Sequence, residues 1–107
     1  MAVAVATGLV FLSTPAFAWN QVWFKDRAHV IASGKRIVVE DTACDNDEVK
    51  GKWKYKNESD APMYSKNNGS GCNTQVVMDT AAVIHGIQAC VVHPVLPDDC
   101  STWKYWQ

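Results

Sequence analysis

Beyond residue 18, no stretch of this sequence is apolar for long enough to cross a membrane, and none holds a 3.6-residue apolar period. The first absence excludes a spanning anchor in the body of the chain, and the second excludes a helical core. Excess charge of one sign is missing too. Ten Lys and Arg against eleven Asp and Glu leave a net charge of −1, which excludes a nucleic-acid binder on overall electrostatics. Catalytic signatures are also lacking. There is no G-x-S-x-G and no paired-carboxylate motif, and His29, His85 and His93 have no sequence neighbour with which to form a catalytic pair. The cysteine and histidine spacings have neither the C-x2-C nor the H-x3–5-H form of a zinc site. Asp41, Asp45, Asp47 and Glu48 lack the D-x-[DN]-x-[DN]-G spacing of a calcium loop and read as a solvated turn. The expectation is a protein that is not an enzyme and holds no cofactor or metal.

What is present begins with a leader. An apolar run from Ala2 to Leu12 precedes Pro15 and the small-x-small tripeptide Ala16-Phe17-Ala18, so residues 1–18 read as a secretory signal peptide cut after Ala18. The run is shorter than the roughly 20 residues a span requires. It also has no Lys or Arg ahead of it, so Met1 need not be the natural start. Secretion places Cys44, Cys72, Cys90 and Cys100 in an oxidising medium where they pair. Of the three possible connectivities, Cys44–Cys72 with Cys90–Cys100 is favoured. The second bridge closes Val91 to Asp99, a segment with two prolines that reads as a strand end and an exposed turn. A mature chain of this size buries only about 60% of its unfolded surface. Two disulfides, each contributing about 2–4 kcal/mol, decide whether it stays folded.

Strand patterns fill the rest. Lys35 to Asp41 is β-branched, Asn73 to Asp79 alternates, and Ala82 to His93 is the longest apolar run and the expected central strand. Arg27 to Ala32, Met63 to Lys66 and Ser101 to Trp106 are shorter candidates, separated by turn signals such as Ser33-Gly34 and Asn67 to Gly71. The clearest alternation is Val49 to Lys56, with Val49, Trp53 and Tyr55 on one face and Lys50, Lys52, Lys54 and Lys56 on the other. The fold class expected is all-β, a small antiparallel sandwich or barrel of six to eight short strands with two disulfides. Its divisions are the signal peptide (1–18), an aromatic N-terminal arm (19–26) and a disulfide-stapled β domain (27–107).

Five Trp and three Tyr are the compositional oddity, and large aromatics serve either core or contact surface. Trp19, Trp23, Phe24 and Trp106 lie near the ends of the mature chain, where burial is hardest. With His93 and Leu96 of the disulfide loop, they are the candidate partner-binding residues. Trp53-Lys54-Tyr55 recurs as Trp103-Lys104-Tyr105; both copies read first as strands filling a core, and alternatively as an aromatic platform. The lysine ladder reads as an exposed edge guarded against aggregation, with an anionic partner as the alternative. Asn57-Glu58-Ser59 and Asn68-Gly69-Ser70 match the N-glycosylation sequon, which has meaning only in a eukaryote.

The run from Ile37 to Asp47, the strand Trp53-Lys54-Tyr55, the segment Asn68 to Cys72, Ala89-Cys90-Val91 and Asp99 to Trp103 together resemble a loose group of small secreted actinobacterial proteins. The resemblance spans most of the mature chain and implies a secreted β-sandwich that recognises something, with no active site to transfer. Proteins of that kind can serve as adaptors in secreted assemblies, including antibacterial toxin particles. Trp53-Lys54-Tyr55 also resembles the Trp-Arg-Tyr triplet of the actinomycete α-amylase inhibitors. Here Lys stands for Arg, the cysteine spacing differs, and the triplet falls in mid-strand. The leading expectation is a secreted interaction module, an adaptor or accessory subunit. It would bind another secreted or cell-surface protein through the aromatic arm and the loop His93 to Asp99. An inhibitor of a secreted hydrolase and a carbohydrate-binding module are the alternatives.

Overall fold

The computed structural model describes residues 19–56 and 63–106; the signal-peptide expectation and Asn57 lie outside them. Nine strands are found among the described residues: β1 (Asn20–Phe24), β2 (Ala28–Ser33), β3 (Arg36–Asp41), β4 (Glu48–Tyr55), β5 (Tyr64–Asn68), β6 (Thr74–Asp79), β7 (Ile84–Val92), β8 (Asp99–Cys100) and β9 (Lys104–Tyr105). All pairings are antiparallel. One sheet runs β1-β2-β3-β6. The other runs β9-β7-β4-β5, with β8 also paired to β7. The all-β class and both disulfide pairings agree with the sequence reading.

The two sheets face each other across a core of alternate residues. Val30, Ile37 and Val39 come from the four-stranded sheet, and Val49, Trp53 and Ile87 from the five-stranded one. Burying each such side chain contributes about 1.5–3 kcal/mol. The sheets are in close contact at Gly51, where a Cβ would lie 2.7 Å from Val39 Cγ2 and 3.3 Å from both Val30 methyls. A side chain there would push the layers apart, so glycine in mid-strand is a packing requirement.

The β1–β2 hairpin turns through Lys25 and Asp26, both at positive φ (53° and 54°), the signs of a type I′ turn. Arg27 N–H donates to Phe24 C=O across it at 3.0 Å. The segment read as an aromatic arm is therefore part of the sheet from Asn20 onward. The expected last strand, Ser101 to Trp106, is present only as the short β9, which lies with β8 on one side of β7. Cys44–Cys72 ties the loop after β3 to the loop before β6, and Cys90–Cys100 joins directly opposed residues of β7 and β8.

Asn68 closes the sandwich between the sheets. It is fully buried, and its Nδ2 donates to Val39 C=O (3.1 Å) and Thr74 C=O (3.0 Å). Its Oδ1 accepts from Ser70 N–H and Thr74 Oγ1. With all four positions of its amide used, the Asn68 sequon has no surface at which to carry a sugar. β5 thus extends through residues read as turn, because this amide needs Asn68 held in the sheet.

Candidate binding surface

The outer face of the four-stranded sheet follows from the register. Trp23, His29, Glu40 and Gln75 stand opposite one another in a row across all four strands; Gln21, Ile31, Val38 and Val77 form the next row. Strand alternation sends these residues out while Val22, Val30, Val39 and Val76 turn in. The first row is locked. His29 Nδ1–H donates to Glu40 Oε1 at 2.7 Å, and its Nε2 lies 2.7 Å from Gln21 Oε1. Gln75 Nε2 donates to the other Glu40 oxygen at 3.4 Å. The Trp23 indole stacks on the imidazole, with centroids 3.7 Å apart and planes 11° from parallel.

This stack leaves His29 buried and Trp23 itself 55% exposed. The indole is held by what lies beneath it while remaining open to solvent. A side chain already fixed in one orientation loses less entropy when a partner arrives. Beside it, Trp19, Gln21, Ile31, Val38 and Gln75 line an open depression of about 360 Å³. Trp19 and Val77 are also about half exposed. The surface offers aromatic and aliphatic contacts ringed by amides and one carboxylate, the composition found at the centre of binding sites.

The candidate contact residues do not gather in one place. Trp19 and Trp23 lie on this face. Phe24 and Trp106 instead pack against the core as partly buried side chains. Phe24 falls on the inward parity of β1, and Trp106 is drawn in by its N–H bond to His85 C=O. His93 and Leu96 sit in the loop between β7 and β8. Lys25 Nζ pairs with Asp99, the first residue of β8, at 2.6 Å, bringing the β1–β2 turn to the same end. His93 Nδ1 lies 3.3 Å from Asp47, and Arg27 reaches Asp45 (3.2 Å) and Asp47 (3.6 Å). The acidic turn is thus engaged by Arg27 and His93 of its own chain. No three His, Cys, Asp or Glu side chains are placed to hold a metal among the described residues.

Sequence reasoning missed Gln21, His29, Ile31, Val38, Glu40, Gln75 and Val77. The available signal was the unbroken Ile37-Val38-Val39, which reads as a strand buried on both faces. Val38 in fact looks outward, next to Ile31 and Val77.

The lysines overturn the edge reading. β4 lies between β7 and β5 in the interior of its sheet, so Lys50, Lys52 and Lys54 guard no edge. Lys56 falls in the turn beyond the strand. Lys50 pairs with Asp98 at 2.8 Å, and Lys54 Nζ sits 4.8 Å above the Trp103 ring and 3.3 Å from Tyr105 Oη. No family model, no curated protein and no solved structure matches this chain.

Proposed function

We propose that this protein is a secreted, non-enzymatic interaction module. It captures another extracellular protein on the outer face of the four-stranded sheet. The observation that carries this reading is Trp23, braced on the buried His29, which Glu40 and Gln21 hold from the neighbouring strands, yet itself more than half exposed. Covering His29 uses one face of the indole; the rest, fixed in orientation and open to solvent, is what a binding surface uses as an anchor. Two disulfides accord with an oxidising location.

The test is capture from the culture fluid of the producing organism. Immobilised protein should retain a partner that the Trp19→Ala/Trp23→Ala double variant loses. Because both indoles stand outside the core, the variant's Tm should fall by no more than about 8 °C, the equivalent of roughly 1 kcal/mol in a domain of this size. Undiminished capture by a folded variant would sink the proposal.

A second reading has its own support. Val95, at 92% exposure, and the exposed Leu96 stand between Pro94 and Pro97 in the loop closed by Cys90–Cys100. A stiffened loop with an apolar tip suits insertion into a hydrolase cleft. Inhibition of a secreted amylase or protease at micromolar protein, abolished by Leu96→Asp, would establish it. Trp53-Lys54-Tyr55 contributes nothing to such inhibition, because Trp53 and Tyr55 are buried.

A further inference from the structure

We infer that the outer face of the five-stranded sheet is a separate site for an acidic polysaccharide, built from Lys52, Lys54, Trp103 and Tyr105. Lys54 and Tyr105 both lie opposite Gly86, one from each side of β7. Gly86 has no side chain, so the Tyr105 ring lies over it; a Cβ there would come within 2.6 Å of Cδ1 and Cε1. Trp103 aligns with Tyr105 at a centroid distance of 5.9 Å and an interplanar angle of 17°. Lys54 Nζ lies over both rings, 4.8 Å and 5.7 Å from their centroids. The result is an ammonium held beside an aromatic surface, with Tyr105 50% exposed.

Lys52 is the next residue on the same face and has no charged partner among the described residues, whereas Lys50 is neutralised by Asp98. Lys52 and Lys54 are two residues apart on one strand, which sets their backbones about 7 Å apart. Such a row meets a linear polyanion at successive repeats. Each exposed ion pair contributes little, so retention depends on many repeats acting at high effective concentration. The rings select the chemistry further: a pyranose presents an apolar C–H face to an aromatic ring while its carboxylate or sulfate reaches the lysines. The chain's net charge of −1 and the confinement of this positive row to one sheet disfavour a nucleic acid. Edge protection does not account for these lysines, since β4 is an interior strand.

Affinity electrophoresis of the mature protein tests the site with polygalacturonate, dextran sulfate, neutral dextran, polyglutamate and single-stranded DNA. Retardation by polygalacturonate or dextran sulfate is expected, with the stronger of the two identifying the acidic group recognised. Neutral dextran should have no effect, and retardation should fade as salt rises from about 20 to about 200 mM. Lys52→Gln should weaken it about two- to fivefold; Lys52 has no charged intramolecular partner among the described residues, so the substitution leaves no counter-charge unpaired. Tyr105→Ala should weaken it as well, whereas Trp23→Ala on the opposite sheet should not. The inference is overturned if neither acidic polysaccharide retards the protein, or if polyglutamate or DNA does so equally. It also fails if folded Lys52→Gln and Tyr105→Ala behave as wild type.

Discussion

Trp53-Lys54-Tyr55 and Trp103-Lys104-Tyr105 are the same three residues placed on opposite sides of one sheet. In β4, Trp53 is opposite Ile87 and Lys54 is opposite Gly86; in β9, Lys104 is opposite Ile87 and Tyr105 is opposite Gly86. The two triplets flank β7 with registers offset by one residue. Because side chains alternate with a period of two, that offset reverses every direction. The first copy puts its aromatics in the core, with Trp53 2% exposed, and its lysine outside. The second puts its aromatics outside and its lysine on the inner parity, where Lys104 Nζ reaches Gln21 C=O of the other sheet at 3.4 Å. Composition and local pattern therefore say nothing about which copy is structural. The two meet where Lys54 of one touches the rings of the other.

The sharpest way to break this comparison is to truncate each tryptophan. Trp53→Ala should cost about 3–5 kcal/mol, as expected for a large buried aromatic, which lowers Tm by more than about 12 °C. Trp103→Ala should cost less, about 1–2 kcal/mol by the same measurement, since it lies outside the core and loses only its stacking on Tyr105 and its contact with Lys54. Equal losses would refute the assignment of the two faces.

Each triplet also has its glycine. Gly51→Val forces a side chain against Val39 and Val30 and should destabilise by about 1–3 kcal/mol in denaturant titration, the usual range for overpacking. Gly86→Ala meets only the movable Tyr105 ring. Its expected cost is below about 1 kcal/mol, with the Tyr105 and Trp103 ring resonances displaced in the NMR spectrum. A larger loss at Gly86 than at Gly51 would invert the picture. The smallest effect is expected for Lys54→Met, which keeps the apolar stem and removes the charge over the rings, about 0.5–1 kcal/mol. Thermal melts that showed no change would place Lys54 among solvated lysines rather than against the platform.

The outer faces of the two sheets extend the contrast. One is uncharged at its centre, with Trp19, Trp23, Ile31, Val38 and Val77; the other is a row of lysines with two aromatics at its end. Alternation in β4 made the second face readable, because lysine on every other residue declares a wet side. The first face was hidden, because Ile31 and Val38 are apolar on both parities of their strands and look like core. His29 was equally opaque. A lone histidine in a β-branched strand gives no sign that Gln21 and Glu40 will flank it from neighbouring strands.

The sequence by itself pointed to the class and favoured one pairing of the staples. Short β-branched runs between turn residues read as strands of a sheet protein, and Cys90 and Cys100 stand on either side of a proline-bearing turn. Of the three connectivities, the structure decided for Cys44–Cys72 with Cys90–Cys100. The sequence also determined which face of β4 is wet, because that periodicity is local. Only the tertiary structure decided where β4 sits in its sheet, which triplet is core, that Asn68 is a buried clamp, and that Trp23 stands on a braced histidine. Each of these depends on register between strands distant in sequence. A shift of one residue there leaves every local propensity unchanged and exchanges the inside of the molecule for its surface.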